Sequence, residues 1–304
     1  MAVSSIRRLA NAAVLVGVSL LLALGGCDCG RGGKARRPSG HMRVATSGDP
    51  ETAKAVVEAL GKAGIKADLV ETRSSIASMA KLSEGAVDFA VVPADVAWYA
   101  VNGKGIYEAP VKGVSAVMPL EPWRVLVLVA RESGLGSVEA LRGKRVVVGP
   151  PGSTLELTSR DVLGAYGLSF GDLGRAISLT VLEGESSLRA NEADALVYVG
   201  SPASAVYRRL QQGPFLSLGF SAAAAQALCD KHPFYERAVP PPQPGQPPQP
   251  TAVGLTVLLV ASNEVAAKDV ERVAQAVLKN VPMPQRDLWQ RGPSPIPVHR
   301  GARD

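Results

Sequence analysis

Small hydroxyl side chains recur in this chain wherever a short apolar run gives way to a segment of helical period. They stand in Thr46-Ser47-Gly48, Thr72-Arg73-Ser74-Ser75, Pro150-Pro151-Gly152-Ser153-Thr154 and Tyr198-Val199-Gly200-Ser201, and the junction Pro93-Ala94-Asp95 carries a carboxylate instead. Residues of this kind at strand-to-helix junctions hydrogen-bond small, oxygen-rich molecules. The carboxyl ends of strands in an open sheet face a crevice, and each following helix offers backbone N–H groups without intrahelical partners. The candidate ligand-binding residues are therefore Thr46, Ser47, Arg73, Ser74, Ser75, Asp95, Gly152, Ser153, Thr154 and Tyr198. Together they describe a polar cleft suited to a small anionic or zwitterionic molecule. Taken singly, each has an ordinary explanation as a helix cap or a turn residue.

Other chemistries find little support. There is no Gly-x-Ser-x-Gly elbow, and no histidine lies near Ser153 to activate it. His41, His232 and His299 are too scattered for a metal site readable from spacing. Glu156 and Asp161, on the segment after Ser153, are explained by capping or solvated roles. The chain is thus expected not to be an enzyme and to use no metal or cofactor. Nucleic acid is excluded by charge: six of the 33 basic and one of the 27 acidic residues lie in residues 1–40, leaving 27 basic against 26 acidic in the rest.

The elements that must position these residues alternate. Strands are expected at Arg43–Thr46, Ala67–Glu71, Phe89–Val92, Arg145–Val148, Ile177–Val181 and Ala195–Val199, with helices at Glu51–Lys62, Ser75–Leu82, Ser137–Leu141, Thr154–Tyr166 and Glu264–Leu278. This is an α/β pattern with a mainly parallel sheet. It restarts once, which implies two lobes, and the apolar segments Val125–Ala130 and Leu255–Ala261 fall where the chain must cross between them. The closing helix should pack back on the first lobe. Val239–Pro250, rich in proline and glutamine, reads as an extended surface connector. Cys229 is expected to be a buried small apolar residue.

The beginning of the chain carries a different signal. Arg7 and Arg8 precede an apolar run, Leu9 to Leu24, that ends in Leu24-Gly25-Gly26-Cys27. This is the pattern of a secretory signal, and its last four residues resemble the bacterial lipobox, whose cysteine is acylated. An ordinary signal peptide or an uncleaved membrane anchor are the alternatives. The expected organisation is a lipoprotein signal peptide over 1–26, lipidation at Cys27, a flexible tether over 27–42, lobe 1 over 43–128, lobe 2 over 129–254, and a return to lobe 1 over 255–304.

From about Arg43 onward the chain resembles the TAXI branch of TRAP transporter solute receptors, extracytoplasmic binding proteins with the type II periplasmic fold. The resemblance rests on Gly85-Ala86-Val87-Asp88-Phe89-Ala90-Val91-Val92 with Asp95-Val96-Ala97, and on the run Leu141 to Ser153. His232-Pro233-Phe234-Tyr235 and Ile296 to Ala302 add to it. It implies a two-lobed α/β fold with two crossing hinge strands, and a monomer lipid-anchored at the periplasm or cell envelope. Such a receptor would pass a glutamate-like or dicarboxylate solute to a TRAP-type permease. Arg73, Ser74, Ser75, Ser153 and Thr154 would hold carboxylate oxygens, and Asp95 would meet an amino or hydroxyl group. The chain departs from the family pattern at the places that would touch the solute. The first loop is short, Arg73-Ser74-Ser75 stands where Gly-Gly-Ser is usual, Pro93 replaces a glutamine, and Thr154-Leu155-Glu156 lacks a second glycine. Those departures keep a second reading open, a degenerate member acting as a sensor or envelope interaction protein.

Overall fold

The structure is a computed structural model and describes residues 41–47, 50–238, 251–281 and 294–302. The apolar start, Cys27, residues 28–40 of the expected tether and the proline-rich tract lie outside the described residues, while the last two residues assigned to the tether, His41 and Met42, open the first strand. The first half of the fold comprises β1 (His41–Thr46), α1 (Glu51–Lys62), β2 (Lys66–Glu71), α2 (Ser75–Ser83), β3 (Phe89–Pro93) and α3 (Ala94–Asn102). A long strand, β4 (Val114–Ala130), leads to β5 (Arg145–Val147), α4 (Thr154–Ala165), β6 (Arg175–Ile177), α5 (Val181–Arg189), β7 (Ala195–Gly200) and α6 (Ala205–Gln212). Then come β8 (Phe215–Leu218), α7 (Ala222–Lys231), β9 (Tyr235–Ala238), β10 (Ala252–Ser262) and α8 (Ala267–Asn280).

All ten strands belong to one sheet, whose main path runs β2-β1-β3-β10-β4-β7-β5-β6. Strands β1, β2 and β3 are parallel, as are β5, β6 and β7, and among the described residues the sheet joins the two parallel groups through β4 and β10. Strand β10 pairs with β3 through Val257–Ala261, and β4 pairs with β7 through Arg124–Val129. The chain therefore has two lobes, with β4 and β10 crossing between them as the alternation required. In each lobe the parallel strands run toward the crossing: Pro93 at the end of β3 faces Val257, and Gly200 at the end of β7 faces Arg124. Both sets of carboxyl ends thus point at the middle of β4 and β10.

That middle is irregular for a chemical reason. Pro119 and Pro122 remove two ladder donors from β4. The register with β10 shifts between Val257 and Leu258, opposite Glu121 and Pro119, so Leu120 is an extra residue in β4.

The core divides by face. On one face a single apolar cluster runs through both lobes, from Met79, Ala97 and Tyr99 to Leu157, Val162, Leu228 and Tyr235, and helices α2, α3, α4 and α7 cover it. On the other face there are two clusters. One lies under α1 and α8, where Val56, Leu60, Val270, Val273 and Val277 recur at helical spacing. The other holds Leu126, Leu128, Leu196 and Leu210 beneath α5 and α6. Each fully buried leucine contributes roughly 1.5–3 kcal/mol, so the continuous face is a seam that resists opening and the divided face is not.

Two local expectations are corrected. The strand expected over Ile177–Val181 ends at Ile177, because Thr180 and Glu183 form a reciprocal capping box that starts α5 at Val181. Cys229 is only half-buried, at the border of the continuous core rather than inside it. The closing helix does pack on the first lobe, against α1.

Candidate functional site

The gap in the divided face is bridged by one side chain. Glu121 accepts at Oε1 from Trp123 Nε1 at 3.2 Å and from the Thr52 hydroxyl, and at Oε2 from Ser201 Oγ at 2.8 Å. Thr52 belongs to α1 in the first lobe, and Ser201 follows β7 in the second. Three donors from both lobes and the crossing strand therefore converge on one carboxylate. Arg124, the other charged residue of the seventeen in β4, lies half-buried beside Gly254, with no ion pair to a described residue. The crossing strand thus places one carboxylate and one guanidinium between the lobes, with the Thr52 and Ser201 hydroxyls on the carboxylate.

The first two hydroxyl junctions meet each other at the carboxyl ends of β1 and β2, where α2 begins. Thr46 is buried at the end of β1, and its carbonyl accepts from Thr72 N at 2.8 Å and Thr72 Oγ1 at 3.0 Å. Ser47 Oγ lies 2.9 Å from Ser75 Oγ, tying the first junction to the start of α2. Ser74 is the N-cap of α2 and accepts from Ala77 N at 3.2 Å. Arg73 is exposed and makes no ion pair with a described residue. From the second lobe, Gly152 comes up against Ile76 of α2: a Cβ at Gly152 would sit 3.3 Å from Ile76 Cδ1. In this structure the lobes are closed upon each other there.

The turn from β5 into α4 is held by the chain itself. Ser153 is the N-cap of α4, accepting from Glu156 N at 3.2 Å and donating to Pro150 O at 2.6 Å. Glu156 folds back to accept from Gly152 N at 2.6 Å, and Arg160 Nη2 holds its other oxygen at 2.7 Å. Thr154 is buried as the first residue of the helix. The donors that sequence reasoning offers to a solute carboxylate here are thus engaged within the turn in this conformation, Gly152 N–H by Glu156 and the Ser153 N–H and hydroxyl by the Pro150 carbonyl. The turn itself demands glycine: at Gly149, φ is +92°, and a Cβ would meet Leu155 Cβ at 2.4 Å.

Two expected site residues lie elsewhere. Tyr198 joins the core beneath α6, its ring against Tyr207 and its hydroxyl 3.4 Å from Ser204. The period-2 alternation of β7 puts it on the face opposite Val197 and Val199. Asp95 is 0% exposed, inside the seam. Its Oδ1 accepts from Val96 N at 2.7 Å, and Thr158 of α4 donates to Oδ2 at 3.4 Å.

The seam also holds a polar network that sequence reasoning missed. Tyr99 of α3 donates to Asp161 Oδ1 at 2.6 Å, and Tyr235 of β9 donates to Asp161 Oδ2 at 3.1 Å. His232 lies 3.4 Å from the same carboxylate and 3.3 Å from the Tyr99 hydroxyl. Burial lifts Asp95 to about 7 and Asp161 to about 6, and lowers His232 to about 4. Burial also raises the Tyr99 and Tyr235 phenols, with the Asp161 charge adding to the effect. The run His232 to Tyr235 and the aromatic residues of α3 were the available signals, but nothing in their spacing tells that they meet.

Among solved structures, one similar to this chain is PhnD1 from Prochlorococcus marinus in complex with methylphosphonate, with a TM-score of 0.53 and 10% identity, covering 79% of this chain and 84% of that one. Another is the putative periplasmic sulfonate-binding protein SsuA from Methylobacillus flagellatus, with a TM-score of 0.50 and 18% identity, covering 79% of this chain and 67% of that one. These likenesses show the fold, that of the two-lobed periplasmic binding proteins. The sequence profile of the NMT1-like family matches residues 51–287, more than half of the chain, and the protein belongs to the NMT1-like family.

Proposed function

We propose that this protein is an extracytoplasmic solute receptor that holds a small anionic or zwitterionic molecule between its lobes and hands it to a membrane permease. The carrying observation is the divided face. The lobes share one apolar cluster on one side and keep separate clusters on the other, and Glu121, between those clusters, accepts one hydrogen bond from each lobe. The residues offered to a solute between the lobes are Thr46, Ser47, Arg73 and Ser75 at the strand ends and the start of α2 in one lobe, and Gly152, Ser153 and Thr154 at the start of α4 in the other. Arg124 and Ser201 stand at the crossing strands. Solute binding shifts the population of closed molecules and performs no chemistry. The sulfonate and phosphonate named for the similar structures widen the solute class beyond carboxylates to other oxyanions.

The finer reading places the protein in the TAXI branch, lipid-anchored through Cys27, with a TRAP-type permease as partner and a carboxylate as solute. The motifs from Gly85 to Ala97 and from Leu141 to Ser153 support it. One observation favours the second reading, a sensor or envelope interaction protein: Glu121 and Glu156 already occupy donors of Ser201 and Gly152. A thermal-shift panel of carboxylates, sulfonates, phosphonates and amino acids decides between them. A receptor at about 100 times its dissociation constant gains about 2.7 kcal/mol; a degenerate member gains nothing from any of them.

A further inference from the structure

Lobe 2 carries a second feature, built from arginines at the end of α5 and along α6. Arg189, Ala205, Arg208, Arg209, Gln212 and Gly213, with Pro214, line a groove of about 460 Å³ between the end of α5 and α6. Each guanidinium is anchored from behind. Glu185, whose side chain is 6% exposed, accepts from Arg189 Nη2 at 2.9 Å through Oε1 and from Arg209 Nε at 2.8 Å through Oε2. Arg208 donates from Nη1 to the Ala203 carbonyl. Arg189 also lies over the Phe215 ring, 4.9 Å from its centre. Gly213 makes room for this, since a Cβ there would fall 3.3 Å from Arg189 Nη2 and 2.8 Å from the Phe215 ring.

A guanidinium has five N–H donors in a rigid fork, and these anchors leave most of them unused. One buried carboxylate pairs with two of the three arginines, and Arg208 is held only by a neutral carbonyl, so the groove keeps an excess of positive charge. Pre-positioned forks of this kind pair with the planar or tetrahedral arrays of oxygen in anions, and they avoid the entropy cost that a free surface arginine would bear. Nothing in the proposed solute cleft calls on them.

We infer that this groove binds a phosphate-type oxyanion, presented either as a free phosphate or as the headgroup of an anionic phospholipid. Calorimetric titration of the full-length protein with inorganic phosphate, against chloride at matched ionic strength, reads the site directly. Arg208→Gln, which leaves both Glu185 pairs in place, should weaken phosphate about tenfold. Arg142→Gln, at an exposed arginine paired with Asp172 in the same lobe, should leave it unchanged. Flotation with phosphatidylglycerol vesicles against phosphatidylcholine vesicles separates the sources. An Arg208-dependent preference for phosphatidylglycerol assigns the headgroup, and equal flotation with Arg208-dependent phosphate binding assigns the free anion. Phosphate binding that survives Arg208→Gln, or no Arg208-dependent response to either probe, overturns the proposal.

Discussion

Ser201 Oγ, beyond the end of β7, donates to Glu121 Oε2 at 2.8 Å, while Thr52 of the other lobe donates to Glu121 Oε1. The link between lobes on the divided face therefore runs through one carboxylate on a crossing strand. Hydrogen bonds to a charged group contribute about 1.5–3 kcal/mol each in protein interiors, less where water can replace them. Glu121→Ala should thus shift the solute-free protein toward open forms by roughly tenfold or more. Faster amide exchange at the start of α1 and a larger radius of gyration would register it. Unchanged exchange would show that the seam alone keeps the lobes together.

The seam should set how stability depends on pH. Asp95 is lifted from 3.8 to about 7, so the folded protein binds a proton there that the unfolded chain has lost, and stability falls as pH rises through that window. Asp161, lifted to about 6, acts in the same sense over a narrower window. His232, lowered to about 4 from 6.5, acts in the opposite sense and offsets one of them. Asp95→Asn retains an acceptor for Val96 N–H and removes the buried charge. It should gain up to roughly 4 kcal/mol over the parent at about pH 8 and almost nothing near pH 4. Melting curves at the two pH values measure this, and a difference independent of pH would contradict it.

Tyr99→Phe removes the 2.6 Å bond to Asp161 and leaves a buried carboxyl with fewer donors. The expected loss is about 1.5–3 kcal/mol. Combined with Tyr235→Phe, which removes the bond to the other oxygen, the losses should exceed their sum, because both act on one carboxylate. Chemical denaturation of the single and double variants provides the cycle.

Tyr107 supplies a contrast. Its hydroxyl is buried with no hydrogen-bond partner among the described residues, and burial with the nearby Asp95 charge raises its pKa. Tyr107→Phe should leave stability unchanged or raise it by about 1 kcal/mol, since a desolvated, unpaired hydroxyl is removed. A loss comparable to that of Tyr99→Phe would mean that the hydroxyl has a partner after all.

Much of the fold could be read from apolar spacing. The helix at Glu51–Lys62 shows its periodicity and charged ends in the sequence, and the crossing segments were visible as Val125–Ala130 and Leu255–Ala261. Their full length was not, because Pro119, Glu121 and Pro122 interrupt the apolar run of β4 where the ladder is irregular. The same interruption hid Glu121, whose place in the sequence says nothing about which lobes will supply its donors. The cap formed by Ser153 and Glu156 follows the usual Ser-x-x-Glu signature and was open to reading. Asp95 reads as a junction residue like Ser47 or Ser153, and only the packing of α3 on α4 reveals that it is sealed in the seam.

The central claim is that a solute binds between the lobes, at the strand ends that meet the crossing strands. The direct test is calorimetric titration of the panel solutes into the parent protein and into the Ser47→Ala and Ser201→Ala variants. At least one solute should bind the parent, and each variant should weaken it by about tenfold, as expected for losing one hydrogen bond to a charged group. No binding by any panel solute, or binding that both variants leave undiminished, would contradict the account.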